Sequence, residues 1–438
     1  MTLLFDKRDG VFSMDTDAQS VLWVEEASQH GSGPRTLLER TTRNAFASVE
    51  FCLDWSSESA THRDILVASN LNLWRDYMSP EAEAMLIDQP VGQINRRGFS
   101  PGELVPGYEQ RGCIDAPLQR FNRRYRNRGE TTPHAGRFYP RGFIAGVGGI
   151  TSDDVQPFRL GTIDGERMTV DLNHPLAGKP ARLSTRILES WAIVAEHGGR
   201  SNDVADMITG QGPGMQARWR GRPTDFFSGD AFARGNPGND AEFYAQPRLV
   251  DHLDRLATRQ VEKLYDDLLP KGGAILDLMS SWKSHLTGAY GHVTGLGMNR
   301  DELQANPALT EHLVQDLNAT PKLSLGDSVY DGAVCTVSVE YLIQPMEVFA
   351  EVNRVLKPGA PFVLTFSNRW FPPKAIRVWE QAHQFERAGL VLEYFLRSGG
   401  WRDLHTFSVA GLPRPADDKY ADRMAFSDPV HAVWGYKA

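Results

Sequence analysis

A chain of 438 residues is long enough for about two to three domains at roughly 150 residues each. Its 41% hydrophobic and 23% charged residues lie near the globular average, which excludes collagen-like, coiled-coil and wholly disordered classes. A formal charge of -8 argues against a general nucleic-acid binder, because neutralising phosphates takes a basic excess; small molecules or proteins are the expected partners.

Residues 1–44 are polar and mixed, with HGSGP around Gly31 to Pro34 reading as a loop, and carry no assignable function. The opening MTLLFDKRDGVF meets charge early and no apolar run reaches the roughly 18 residues that cross a bilayer, so neither a signal peptide nor an anchor is expected. Cys52, Cys113 and Cys335 are widely separated and odd in number, which gives no disulfide framework and fits a cytoplasmic setting. No histidine or cysteine spacing matches a metal site. From 45 to 190 the texture turns to short alternating segments (ASVEFCLDW, DQPVGQINRRGF, QPFRLGTIDG, ERMTVDLNH, ARLSTRILES), the pattern of antiparallel strands. The stretch 191–241, dense in Gly, Pro, Asn and Asp, predicts a linker or a lid in which Trp219, Arg220 and Phe226 would close over a pocket.

From 242 to 438 the pattern changes again. PRLVDHLDRLATRQVEKLYDDLLP spaces Leu249, Leu253, Leu256, Val261, Leu264 and Leu268 mainly three and four apart, predicting one amphipathic helix ended by Pro270. GAILDLM, GHVTGLGM, YDGAVCTVSV and APFVLTFSN are compact apolar runs with helical stretches such as EVFAEVNRVL between most of them. Runs of this kind predict βαβ units and a doubly wound, Rossmann-like α/β domain with a parallel sheet. In such sheets ligands bind beyond the carboxyl ends of the strands, so the informative residues directly follow each run.

Those strand ends carry a resemblance. KGGAILDLMSSWKSHL, HVTGLGMNRDEL, LVQDLN, YDGAVCTVSVEYLIQP and EVNRVLKPGAPFVLTFSNRWFPPKA follow the order of motifs in class I S-adenosylmethionine-dependent methyltransferases, over about 242–410. The resemblance implies S-adenosylmethionine as cofactor. It implies that Asp277 orients the first loop and the methionine amino group, and that Asp316, with Leu317 beside it, takes the adenine amine. Val337 and Ser338 would line the cofactor's inner side. Two departures stand out. The glycine loop of the family is here Met279, Ser280, Ser281 and Trp282; Gly297 replaces the carboxylate that grips the ribose diol, leaving Met298 and Asn299 at that strand end, with the Asn299 amide as substitute.

For the acceptor, Tyr244, Arg248 and His252 fall at four-residue spacing and would share one face of a helix. Trp282, Tyr341, Asn368 and Arg369 lie on the same rim, with Arg248 or Arg369 suited to a carboxylate or phosphate. His285 or His252 is the expected general base, with Tyr244 a third candidate for the chemistry.

The β region has its own resemblance. QPFRLGTIDGERMTVDLNHPLAGKPARLSTRIL, with SPGELVPGYEQ and RFYPRGF upstream, is similar to FKBP-type, SlyD-like peptidyl-prolyl isomerases over about 45–190, implying an α+β, mostly β FKBP-like domain. Trp74 and Tyr108 are the nearest matches to the family's aromatic pocket. Asn173, His174, Pro175 and Gly178 are explained by turn chemistry. The cluster Arg120, Arg123, Arg124, Arg126 and Arg128 reads as a solvated face, with nucleic acid the less favoured reading. The leading function is therefore methyl transfer to a small molecule or peptide that the FKBP-like region presents. A binding or chaperone-like protein, and a prolyl isomerase with a degenerate methyltransferase domain, are the alternatives. The sequence makes no prediction of oligomeric state or of the acceptor atom.

Overall fold

The computed structural model describes residues 35–127, 129–193 and 199–438. The HGSGP loop and Arg128 lie outside them, as does most of the 1–44 segment. In chain order the strands are β1 Ala45–Ser56, β2 Thr61–Asn72, β3 Ile94–Phe99, β4 Cys113–Pro117, β5 Phe138–Pro140, β6 Pro157–Asp164, β7 Arg167–Asp171 and β8 Ala181–Ala192. They continue as β9 Ala274–Leu278, β10 His292–Gly297, β11 Glu311–Val314, β12 Gly332–Thr336, β13 Pro361–Phe366, β14 Trp401–Ala410 and β15 Val430–Lys437. The helices are α1 Pro80–Leu86, α2 Val204–Thr209, α3 Asp240–Phe243, α4 Arg255–Leu268, α5 Arg300–Ala305, α6 Pro345–Val355, α7 Arg377–Gln381 and α8 Gln384–Ser398.

The apolar runs of the second half become a sheet in the order β11-β10-β9-β12-β13-β15-β14, parallel except for β15, which is antiparallel to both neighbours. It is a Rossmann-like fold, with β9, β12 and β13 buried on both faces, as their uninterrupted apolar texture requires. The sheet does not end at β14. That strand pairs in parallel with β2, from His405 opposite Thr61 to Ala410 opposite Leu66, and the sheet runs on through β2, β1, β8 and β3. β1 explains why the junction is closed. Its Phe51 and Leu53 enter a core with Leu183 and Ile187 of β8, while Cys52 joins Ile65 and Val67 against α4, β13 and β15. The two halves of the chain thus share a hydrophobic core, although their sequence textures differ.

A second, antiparallel sheet in the order β4-β7-β6-β5 is inserted between β3 and β8. Phe121 and Tyr125, the aromatics interleaved with the arginine cluster, pack in its core with Tyr139, Phe143 and Phe158, while Arg120, Arg123, Arg124 and Arg126 stay exposed. A buried ion pair, Arg137 Nε to Glu386 Oε1 at 2.8 Å, ties this insertion to α8.

The expected lid is an anchored strap. Phe226 is buried in the core around α6 and α8, Trp219 donates to Asp171 at 2.8 Å, and Arg218 grips Glu393 with two bonds of 2.6 and 2.9 Å. Burying a Phe of this kind contributes about 1.5–3 kcal/mol, which a lid that opens would forfeit. The single helix expected over 247–270 is also shorter. Asp254 Oδ1 accepts from the Leu256 and Ala257 N–H groups, which fixes the start of α4, and Leu249 and Val250 lie outside it, 54% and 51% exposed.

Asp64 is the polar centre of the junction, accepting from Trp55 Nε1 (2.9 Å), Ser408 Oγ (2.7 Å) and Gln216 Nε2 (3.1 Å). Burial pushes its carboxyl from 3.8 up to about 6 against the pull of those donors. The folded state therefore binds the proton before the unfolded state does, so this group adds stability as pH falls from about 6 toward 4. Asp64→Asn removes that increment and loses about 1–3 kcal/mol of hydrogen bonding. Urea midpoints should separate further between wild type and variant at pH 4.5 than at pH 6.5 (~2 pH units apart); a constant gap would contradict the assignment.

Candidate functional site

β10 and β11 extend the sheet to one side of β9, and β12 and β13 to the other, so the winding reverses between β9 and β12. Loops that leave those two strands diverge and open a crevice at their carboxyl ends. A cavity of about 630 Å³ lies there. The loop after β9 contributes Asp277, Met279, Ser280, Ser281, Trp282 and His285, and the β10 end contributes Met298 and Asn299. Asp316 and Leu317 come from beyond β11, Val337, Ser338 and Tyr341 from beyond β12, Asn368 and Arg369 from beyond β13, and Tyr244, Arg248 and His252 from the segment before α4. All of these residues line the one cavity.

Asp277 is buried and accepts from Ser280 Oγ at 2.5 Å; burial pushes its carboxyl up to about 7 while the serines at 280 and 284 pull it down. Met279 holds φ at +57° and Val337 at +45°, left-handed conformations that a β-branched residue adopts only under constraint. Met279 thus makes the turn that a glycine makes elsewhere. The Ser280 amide donates to Leu296 O at 2.7 Å, which draws the loop onto β10, and a Cβ at Gly297 would lie 2.1 Å from the Ser280 carbonyl oxygen. A side chain at 297 is therefore excluded by the loop itself.

Asn299 lines the cavity, but its amide is already engaged. Its Oδ1 caps α5 by accepting from Asp301 and Glu302 N–H, and its Nδ2 donates to Tyr244 O and Ala245 O. One turn on, Glu302 lines the cavity with a carboxylate that accepts from Ser281 Oγ at 2.6 Å and from the Arg248 N–H at 2.7 Å. Each oxygen keeps a lone pair for a further donor. Asp316 Oδ1 accepts from the Asn318 and Ala319 N–H groups, and no described group donates to its Oδ2. Behind it, buried Asp240 joins Arg234 (2.7 Å), Lys374 (2.8 Å) and Asn318 (2.9 Å), which hold its carboxyl low against the burial that would raise it.

On the other half, Tyr244, Arg248 and His252 share no helix face; they lie on the irregular segment between α3 and α4, where Arg248 and His252 meet Phe371 and Tyr244 meets Arg248. The Arg248 guanidinium stacks on Phe243, Tyr244 and Phe371 at 4.8, 5.7 and 5.4 Å, and the His252 ring meets Phe371 edge-on at 5.5 Å. Burial drives the Tyr244 hydroxyl well above its ordinary range, so it keeps its proton near neutral pH. Arg369 is engaged as well. Its guanidinium bonds Asp428 Oδ1 at 3.1 Å, which also takes Arg414 at 2.7 Å, and Asp254 completes the cluster 3.4 Å from Arg414. Glu302, Asp240, Asn318, Asp254, Arg414, Asp428 and Tyr420 are cavity residues that the sequence reading passed over. The acidic residue of DEL, directly after the strand end, was the one available signal for Glu302.

A family model described as a methyltransferase domain matches residues 272–364, from just before β9 into β13. Among curated proteins, methyltransferase phqN of Penicillium fellutanum is 35% identical over 85 residues, 18% of this chain. The match spans about a quarter, 26%, of that relative's length. Among solved structures, an S-adenosylmethionine-dependent methyltransferase of Mesorhizobium loti aligns at 18% identity over 41% of this chain and 97% of its own, with a TM-score of 0.27. Geranyl diphosphate C-methyltransferase of Streptomyces coelicolor A3(2), in complex with S-adenosyl-L-homocysteine, aligns at 14% identity over 42% and 81%, with a TM-score of 0.29. Residues 272–364 match a methyltransferase domain. The crevice is chemically compatible with S-adenosylmethionine: the Asp316 and Glu302 carboxylates keep lone pairs that an amine and a diol can use.

Restoring a carboxylate at the β10 end should fail here. Gly297→Asp is expected to cost about 1–3 kcal/mol through overpacking and to weaken S-adenosylhomocysteine binding; a variant of unchanged melting temperature that binds more tightly would refute the close approach of Ser280.

Proposed function

We propose that the protein transfers a methyl group from S-adenosylmethionine to a small-molecule or peptide acceptor. The observation that carries this reading is the convergence on one cavity, at the switch point of the matched domain, of Asp316, Glu302 and two imidazoles that hydrogen-bond no described residue. Bound there, S-adenosylmethionine supplies an electrophilic methyl carbon on a sulfonium.

In this reading Asp316 accepts from the adenine amine, with Leu317 beneath the ring, and Glu302 takes the ribose diol in place of Asn299. Asp277 and Ser280 fix the loop around the methionine tail, with Met279, Ser281 and Met298 beside it; Val337 and Ser338 form the inner wall. Trp282, Tyr341 and Asn368 face the acceptor, with Arg369 held by Asp428 and Arg248 keeping, for an anionic group of the acceptor, a buried Nη1 that has no partner among the described residues. His285 and His252 are the proton acceptors. In-line positioning and exclusion of water supply most of the remaining rate, since transfer needs little covalent chemistry from the protein.

Residues 45–190 have a supporting part in the proposal. The sheet β4–β7 is inserted between β3 and β8 and tied to α8 by the Arg137–Glu386 pair, which favours a substrate-shaping role. Prolyl isomerisation gains less support, because Trp74 is 55% exposed and Tyr108 is bonded to Cys113 at 2.8 Å and to Arg220. No helix among the described residues is long and apolar enough to cross a membrane, and all three cysteines are free. A cytoplasmic protein that needs no metal and binds neither nucleic acid nor membrane is the setting we propose.

Calorimetric titration with S-adenosylmethionine and S-adenosylhomocysteine tests the reading. Micromolar binding is expected, weakened about tenfold or more (~1.4 kcal/mol) by Asp316→Ala and by Glu302→Gln. Silence at millimolar ligand, or binding indifferent to both variants, would overturn it.

A further inference from the structure

A second cavity, of about 460 Å³, shares no lining residue with the first. It lies where the loop before β4, the approach to β6, the exit from β7 and the end of α2 meet. Asn173, in the turn after β7, fixes part of its wall. The Asn173 Nδ2 donates to Glu109 O at 3.0 Å and to Asp171 Oδ1 at 2.8 Å, and its Oδ1 accepts from the Glu109 N–H at 2.8 Å. Gly214, at φ +98°, lets the strap press on the same turn, since a Cβ there would lie 2.7 Å from Pro175 Cβ.

Two side chains of this cavity carry N–H groups with no acceptor. His174 Nδ1 accepts from the Leu176 N–H at 3.1 Å, which leaves the ring's proton on Nε2. Burial lowers the imidazole to about 4, with the Thr209 backbone and Asp206 opposing, so the ring is neutral near pH 7. No hydrogen bond of good geometry joins Nε2 to Thr209, and that buried atom has no partner among the described residues. Arg141 donates through Nη2 to Leu172 O at 3.3 Å and stands 3.9 Å from Asp154 through Nη1, while its buried Nε has no partner among the described residues. Buried donors without an acceptor are costly, so two on one cavity call for a ligand oxygen. The loosely paired guanidinium favours an anionic one, a carboxylate. Asp206, near enough to His174 to act on its proton, lines the same cavity, and no described group donates to its carboxylate. The other acid of the lining, Glu109, is held by Arg111 at 2.6 and 3.0 Å. A lone anion would therefore meet Asp206 as a like charge, whereas a ligand that also carries an ammonium makes Asp206 its partner. Pro157, Pro175 and Met215 supply apolar surface for the rest of the ligand, and the volume lies within the range of small-molecule sites.

We propose that this second cavity binds a small zwitterion with an apolar body, an amino acid or a dipeptide, whose carboxylate is taken by Arg141 and His174 and whose ammonium is taken by Asp206. The site is separate from the methyl-transfer cavity and stands independently of that reading. A carboxylic acid without the amine leaves Asp206 unanswered, and an amine without the carboxylate leaves both N–H groups unanswered.

The test is calorimetric titration of the full chain with L-leucine, L-phenylalanine and glycyl-L-phenylalanine, against 3-phenylpropionate, which lacks the amine, and 2-phenylethylamine, which lacks the carboxylate. At least one zwitterion is expected to bind with a Kd of about 1 mM or tighter, and each half-ligand at least about tenfold more weakly. The ratio of phenylalanine to dipeptide affinity tells the free amino acid from the peptide. Arg141→Gln should weaken the zwitterion and 3-phenylpropionate alike, by about tenfold. Asp206→Asn, at an exposed position, should weaken the zwitterion about tenfold while 3-phenylpropionate binds no more weakly than before. Should Arg141→Gln lower the melting temperature of the free protein too far to titrate, Asp206→Asn decides alone. No binding of any zwitterion at about 10 mM, a half-ligand that binds as tightly, or zwitterion binding indifferent to Asp206→Asn would each overturn the proposal.

Discussion

The reversal of winding between β9 and β12 is the constraint on which the site depends. Had β10 and β12 followed the same direction, helices and loops would have covered the carboxyl ends of the central strands. Because they diverge, Asp277, Ser280, Val337 and Ser338 stand at the mouth of an open crevice. Everything else sharpens that crevice. The Ser280 carbonyl presses on Gly297, Asn299 closes the β10 end against residues 244 and 245, and Asp240 braces the loop that carries Asp316.

The strained residues belong to the same picture. Met279, His285 and Val337 all take positive φ beside the cavity, and the energy they store is met by packing elsewhere. Part of that packing comes from the first half of the chain. β2 covers the edge of β14, β1 and β2 share the core beneath α4, and the strap from α2 to α3 is pinned by Arg218, Trp219 and Phe226. An exposed edge at β14 would otherwise be a template for unwanted pairing.

Much of the second half was legible because doubly wound folds write themselves into apolar runs, and strand ends then name their own ligand-facing residues. Asp277, Asp316, Tyr341 and Asn368 were accessible in that way. The grouping of Tyr244, Arg248 and His252 was legible while its geometry was not. Leucine spacing in the segment from Arg248 to Asp254 imitates a helix, but the capping carboxylate of Asp254 starts the helix later, and Phe371, remote in sequence, gathers Arg248 and His252. Engagement was the other blind spot. Nothing in the sequence says that Asp428 claims Arg369 or that the Tyr244 and Ala245 carbonyls take the Asn299 amide; both join residues more than fifty positions apart. The strap from 204 to 241 was misread because glycine and proline signal irregular backbone, and irregular backbone packs as tightly as a helix when Phe226 and Trp219 anchor it.

The account stands most directly on where the cofactor binds. A crystal structure of the full chain with S-adenosylhomocysteine should place the adenine amine on Asp316 and the ribose hydroxyls on Glu302, between the ends of β9 and β12. Ligand density elsewhere, or a ribose held by Asn299 with Glu302 turned away, would contradict it.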